Sequence, residues 1–273
     1  MKTVKLFTMV KDEVDIVEDW LLYHGTIFGF CNLYIIDNYS SDGTYEILLK
    51  YKKKGIFLIR EKEYKYKGLF MRHLIKDRIK QDYDLAYPLD IDEFIIYYDK
   101  DSNKIRIDNI KIYLSNLPNE YTNYKTNYIL SQIDTKDGIG YNRACVEAKY
   151  GDYINYGNLA KTFFNNRIWN GKIDHGNHYC NDKYFLTNLC LIHFHSRNLN
   201  QMKKKSYNNV KGLGYNPDSL DDLNTHLNDP GKHHVKNQID ILQNKFHINT
   251  NYVPNENSID LSVFNNYIKS LRP

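Results

Sequence analysis

Over the first 95 or so residues, short apolar runs alternate with segments of helical periodicity, and that alternation narrows the folds open to the chain more than any other feature. Residues 5–10 form a strand-like run, and Asp12 then precedes Val14, Val17, Trp20, Leu21, His24 and Phe28 at helical spacing. Residues 31–36 make a second apolar run closed by the polar segment 37–44, after which Tyr45, Ile47, Leu48 and Leu49 suggest a helix. A third strand is expected at 56–59, a helix at 68–81 and a fourth strand at 85–89. Strand and helix in alternation predict an α/β domain with a parallel, Rossmann-like sheet. Right-handed crossovers then collect the loops that follow the strands along one sheet edge.

The fourth of those loops is chemically unusual. Asp90, Asp92 and Glu93 interrupt an otherwise apolar run from Tyr87 to Ile96. Aspartate is a poor strand former, and buried charges need partners. Two carboxylates about 4 Å apart repel by roughly 4 kcal/mol at an effective dielectric near 20, so a proton or a cation is expected between them. If 85–89 is a strand, Asp90 and Asp92 leave it on the same side and can face one divalent ion. A strand that merely ends in a polar turn is the plainer alternative.

Composition bounds the rest. With 273 residues, 42% hydrophobic and 26% charged, the chain can bury a large core, and a net charge of +4 is too small to argue for nucleic acid. The four cysteines, Cys31, Cys145, Cys180 and Cys190, lack Cys-x-x-Cys spacing and read as reduced thiols. The N-terminal run is too short for a signal segment, and no stretch of about 18 apolar residues predicts a membrane span. A soluble, cytoplasmic protein is expected. Heavy use of Lys, Asn, Ile and Tyr, with 25 tyrosines, fits an AT-rich genome such as that of a large DNA virus, and with it a role in the host cytoplasm.

After residue 97 the pattern changes. A helix is expected at 105–117, then strands at 121–130, 144–149, 159–165 and 186–195 that suggest an antiparallel extension on the acceptor side of a site. Residues 198–210 read as a basic helix with Lys203, Lys204 and Lys205, for which a solvated face is expected. Two short helices are expected at 239–246 and 261–271. The organisation that follows is a first half, 1–97, a second half, 98–214, and a helical tail, 215–273.

Several of these segments together resemble a known group. Phe7-Thr8-Met9-Val10-Lys11-Asp12-Glu13, Glu18-Asp19-Trp20-Leu21-Leu22-Tyr23-His24, Ile36-Asp37-Asn38-Tyr39-Ser40-Ser41-Asp42-Gly43-Thr44 and Asp90-Ile91-Asp92-Glu93-Phe94 look like glycosyltransferases of the GT-A fold, in the family 2-like group and the related family 92. The likeness resumes at Leu191-Ile192-His193-Phe194-His195-Ser196-Arg197 and does not cover the middle of the chain.

The resemblance implies a nucleotide-sugar donor, with UDP-sugars expected, and a glycan, glycoprotein or other hydroxyl acceptor. It implies a donor site of Thr8, Val10, Lys11, Glu13, Asp37, Asp90, Ile91 and Arg197, with Asp42 holding its loop, and Arg72, in the helix before the fourth strand, is a further phosphate or sugar candidate. The resemblance also implies Mn²⁺ or Mg²⁺ on Asp90, Asp92 and His193, with His195 as the fallback. Such an ion suits hard oxygen ligands and neutralises charge on a departing diphosphate. Asp37 and Asp42 have an alternative role as turn residues, and a lone strand histidine is commonly a core residue. An inverting transfer also needs a base. Asp174, in a Gly-rich loop with His175 and His178, is the expected candidate, while Glu93, Asp134, Asp137 and Asp182 stay open.

Two other readings compete. Nucleotidyl transfer also uses Asp-x-Asp and metal, but its usual Gly-Ser element is missing from residues 76–89. A non-catalytic nucleotide- or sugar-binding module is the alternative from another class.

Overall fold

The computed structural model describes residues 2–81, 84–155, 157, 160–165, 169, 171–174, 176–178, 183–229 and 231–272. His175, Cys180 and Asp182, and residue 159 at the start of one expected strand, lie outside the described residues.

The first four strands follow the expected order: β1 (Val4–Val10), β2 (Leu33–Asp37), β3 (Phe57–Arg60) and β4 (Leu85–Pro88). Their helices are α1 (Val17–Phe28), α2 (Thr44–Lys52) and α3 (Lys67–Arg78). The strands stand in the order β3-β2-β1-β4 and are parallel, with Val10 opposite Asp37 and Asp37 opposite Arg60. Their carboxyl ends therefore share one edge.

Beyond β4 the strands are β5 (Glu93–Asp99), β6 (Lys104–Arg106), β7 (Asn123–Ser131), β8 (Tyr150–Ile154), β9 (Lys161–Asn165) and β10 (Tyr184–His193). They continue the same sheet as β4-β9-β7-β10-β5-β6, giving one mixed sheet in which the predicted antiparallel extension is an integral part. A late strand, β11 (Ser258–Asp260), pairs with β8.

Several expectations change. The predicted helix at 105–117 splits into β6 and a short α4 (Ile110–Ser115), because the chain turns back at Asn103, whose φ is +53°. Asp99 accepts from the Ser102 amide and Tyr98 hydrogen-bonds Asn103 there, which pins the hairpin. The predicted strand at 144–149 is instead a single helical turn, α5 (Ala144–Glu147). Glu147 accepts from the amides of Asn142 and Arg143, so its carboxylate satisfies free donors at the helix start. Strand β5 escaped the periodicity reading because it is buried on both faces and shows no alternation.

The remaining helices are α6 (Leu199–Leu213), α7 (Leu220–Thr225), α8 (Lys232–Leu242) and α9 (Ser262–Ser270). Within residues 215–273, β11 extends the sheet, α9 packs on α5 and α1, and α8 packs on α6.

The main core lies between the sheet and α1, α4 and α9, with Trp20, Tyr23, Phe94, Phe194 and Phe264 fully buried. Three side chains of α1 hydrogen-bond β5. Trp20 Nε1 donates to the Glu93 carbonyl at 3.0 Å, Tyr23 donates to the Ile95 carbonyl at 2.6 Å, and His24 Nε2 accepts the Ile95 amide at 3.3 Å. Buried polar atoms with fixed partners set one orientation, so α1 locks the strand that starts at Glu93.

Candidate functional site

All four parallel strands deliver residues into one cleft of about 420 Å³ at their carboxyl edge. Met9 and Lys11 come from the end of β1, Asn38 from the end of β2, Tyr64 from the β3–α3 connection and Lys67 from the first position of α3, and Asp90, Ile91 and Asp92 follow β4. Gly176, His178, His193 and His195 close one side, and Lys205, Asn208, Asn209, His233 and His234 from α6 and α8 close another.

The loops around the cleft are tied together by carboxylates. Asp12, at φ +53°, accepts from the Ser41 amide at 2.7 Å and from Asn208 at 3.0 Å. Asp42 accepts from the Thr44 hydroxyl at 2.6 Å, from the amides of Thr44 and Val14, and from Lys204 at 3.0 Å, and these bonds hold its carboxyl below the usual range against partial burial. Asp37 is fully buried, accepting from the Ser40 amide and from Arg60 Nε at 2.8 Å. The Arg60 guanidinium in turn lies over the rings of Tyr39 and Tyr45. Asp37 does not line the cleft, whereas Asn38 of the same loop does.

Arg197 is 1% exposed. It pairs with Glu13, with Asp15 at 2.9 Å and with Asp92 at 3.6 Å, and Nη1 donates to the Phe194 carbonyl at 3.1 Å. It joins the β1–α1 loop to the end of β10 from below the cleft rather than opening into it. Its backbone is approached closely as well: Gly140, at φ +91°, sits where a Cβ would lie 2.4 Å from the Arg197 carbonyl.

Asp90 and Asp92 both line the cleft, but a turn rather than strand alternation sets where each carboxylate lies. Strand β4 ends at Pro88, and residues 90–93 form a tight turn in which the Glu93 amide donates to the Asp90 carbonyl and the Glu93 carboxylate accepts the Asp90 amide. The turn sends the two carboxylates to different partners. Asp90 meets Lys67 at 2.8 Å through one oxygen and Lys161 at 2.9 Å through the other. Lys161, itself 1% exposed, also reaches Glu93 at 3.0 Å. Asp92 meets Lys205 at 2.7 Å, His193 Nε2 at 3.5 Å and Arg197.

Burial alone would raise both aspartates, but Lys161 and Lys67 hold Asp90 below the carboxylate range and Lys205 and His193 do the same for Asp92. For Glu13 and Glu93 burial outweighs Arg197 and Lys161, so both are raised. Burial lowers His178 and brings His234 to about 4, while the Lys205 charge and then burial bring His195 to about 3. All three shifts favour the neutral imidazole.

The remaining expected residues fall in different places. Lys11 and Ile91 line the cleft, with Lys11 Nζ donating to the Tyr39 carbonyl at 2.6 Å. Thr8 and Val10 are buried in β1, and Thr8 Oγ1 has no hydrogen-bond partner among the described residues. Arg72, on α3, does not line the cleft. Asp174 is exposed and accepts the His178 amide at 2.7 Å, so it shapes the turn that presents His178. Asp137 caps its own loop through Thr135, Ile139 and Gly140, and Asp134 pairs with Lys149 at 3.7 Å.

Sequence reasoning missed Lys67 and Lys161, and it expected a solvated face for the α6 lysines. Lys203 is exposed, but Lys204 and Lys205 are engaged. A signal was present: Gln201, Lys205, Asn208 and Asn209 fall at i, i+4, i+7 and i+8, a polar stripe on one helix face. That stripe reaches Glu13, Asp92, Asp12 and His234 in turn.

No protein-family model and no curated protein matches the chain. Among solved structures the chain is similar to the mannosyltransferase PcManGT from Pyrobaculum calidifontis in complex with GDP-Man and Mn²⁺, at 9% identity and TM-score 0.42, over 88% of this chain and 70% of that one. It is also similar to S. aureus TarS 1–349 in complex with UDP, at 11% identity and TM-score 0.34, over 88% of this chain and 71% of that one. Likenesses this distant assign no residue roles here. No helix among the described residues is long and apolar enough to cross a membrane.

The expected metal set can be tested on its donor atoms. Among the described residues no three His, Cys, Asp or Glu side chains converge on one point. Both oxygens of Asp90 face ammonium groups. Asp92 Oδ1 and His193 Nε2 stand 3.5 Å apart, but that carboxylate already carries Lys205 and Arg197. A divalent ion about 4 Å from one such cation would be repelled by roughly 8 kcal/mol at an effective dielectric near 20. The three-residue metal set does not fit this arrangement.

Proposed function

We propose that this protein transfers a sugar from a nucleoside diphosphate sugar, a UDP-sugar in the first instance, to an acceptor hydroxyl with inversion. The observation that carries the reading is the convergence of all four strand-end loops on one polar cleft lined by Lys11, Lys67 and Lys205. Ligands of open parallel sheets bind at that edge, and about 420 Å³ lies within the range of small-molecule sites.

In this reading the nucleoside lies toward Lys11 and Asn38, the diphosphate beside Lys67 and Lys205, and the sugar toward Gly176, His178 and His193. A second cavity of about 340 Å³, lined by residues 130–133, Ser196 and Asn249, shares His193 and His195 with the cleft and receives the acceptor. The acceptor oxygen bonds to the anomeric carbon, and the bond from that carbon to the diphosphate breaks with its electron pair on the nucleotide. The hydroxyl proton passes to solvent water on the acceptor side, so that the nucleoside diphosphate leaves with the electron pair and the acceptor oxygen becomes neutral.

The test is a panel of UDP- and GDP-sugars, scored first by thermal stabilisation and then by nucleotide release with and without sugar acceptors. Stabilisation followed by acceptor-dependent release is expected. A panel in which nothing stabilises the protein sinks the reading, and binding without release leaves a non-catalytic module.

A further inference from the structure

The carboxylates of the Asp-x-Asp turn are neutralised by lysines that the fold has brought from three distant places. Lys67 opens α3, Lys161 opens β9 and Lys205 lies mid-way along α6. An oxygen ligand of Mg²⁺ lies about 2.1 Å from the ion. An ammonium hydrogen-bonded to that same oxygen would stand roughly 4 Å from the ion and repel it, so lysine and metal compete for Asp90. Lys161 is not free to move aside. It is 1% exposed, bridges Asp90 and Glu93, and also donates to the Gly176 carbonyl at 3.1 Å, so its departure would leave the buried Glu93 carboxylate without a cation and Asp90 with Lys67 alone.

Lys67 and Lys205 stand differently. Both line the cleft, and each has one carboxylate contact, Asp90 at 2.8 Å for Lys67 and Asp92 at 2.7 Å for Lys205. An ammonium has three N–H donors, so each can hold its aspartate and a phosphate oxygen at once. Together they carry the charge of one divalent ion, at the two carboxylates where an ion is otherwise expected.

We infer that this chain grips the pyrophosphate of its donor with Lys67 and Lys205 in place of a divalent cation, with Lys161 keeping Asp90 and Glu93 paired beneath them. The inference rests on the donor reading above and replaces the metal in it. Asp90 and Asp92 then act as positioning residues that hold the two ammonium groups at a fixed spacing.

Calorimetric titration of UDP and GDP into metal-stripped protein, in EDTA and again in Mn²⁺, tests this directly. Binding of one of the two nucleotides in EDTA, with Mn²⁺ changing its Kd by less than about twofold, is expected. Lys205→Gln and Lys67→Gln should each weaken binding by about tenfold or more, and Lys205→Arg should retain most of it. Lys50→Gln, at an exposed position of α2, should change nothing. Thermal unfolding of each variant separates lost binding from lost fold. Binding that appears only with Mn²⁺, or that Lys205→Gln tightens in Mn²⁺, overturns the inference and leaves the donor reading intact. Absence of UDP and GDP binding under both conditions overturns both.

Discussion

Lys161 Nζ lies 3.0 Å from Glu93 Oε2, and both side chains are 1% exposed. A buried ion pair of this kind contributes little over an apolar pair, but breaking it from one side leaves a bare charge. Lys161→Ala should therefore destabilise the protein by about 3–5 kcal/mol, read from urea unfolding. Glu93→Gln keeps the shape and the acceptor for the Asp90 amide, so it should cost distinctly less. Equal losses in the two variants would contradict this account of the pair.

Arg197 should not tolerate lysine. Its guanidinium uses all three nitrogens, Nη2 to Glu13, Nε to Asp15 and Nη1 to Asp92 and the Phe194 carbonyl, and a single ammonium cannot reproduce that fork. Arg197→Lys should destabilise by about 3 kcal/mol or more, while Lys203→Ala, at an exposed position, should stay within about 0.5 kcal/mol. Chemical denaturation of both variants checks the contrast, and a mild Arg197→Lys would mean that the buried cluster does not hold the β1–α1 loop.

His24 makes stability pH-dependent. It is wholly buried among Trp20, Tyr23, Phe28 and Phe94, and burial brings its folded pKa to about 3. The unfolded chain takes up a proton near pH 6.5 and the native state does not. Its contribution is therefore complete above about pH 6.5 and is lost as pH falls toward 3, by up to about 1.4 kcal/mol per pH unit. His24→Gln keeps hydrogen-bonding capacity without the titration, so the stability gap between wild type and variant should narrow from about pH 7 to about pH 4. Parallel pH curves would remove His24 as the cause.

Asp174 gives a prediction that separates a shaping role from a chemical one. Its carboxylate accepts the His178 amide and does not line the cleft. Asp174→Asn retains an acceptor oxygen and should change turnover by less than about threefold, whereas Asp174→Ala should weaken donor binding through a displaced His178. Steady-state kinetics of both variants decide it: a loss of kcat by about a hundredfold or more in Asp174→Asn would restore Asp174 as the base.

Much of this was legible from local pattern. Apolar runs at period two or in buried stretches, alternating with period 3.6, located β1 to β4 and α1 to α3 within a few residues, because those elements are buried on predictable faces. Asp90 and Asp92 were legible as well, since carboxylates in an apolar run demand partners. The partner type was not legible. Lys67, Lys161 and Lys205 lie 23, 71 and 113 residues from the aspartates they meet, and no spacing rule relates them.

What the chain determined by its sequence alone is the parallel half of the sheet and the placement of acidic loops at its edge, because both follow from short-range periodicity and crossover handedness. Only the tertiary structure decided what neutralises those acids. Charge compensation is set by distance in space, and here a tight turn at residues 90–93 splits the two aspartates between lysines from α3, β9 and α6.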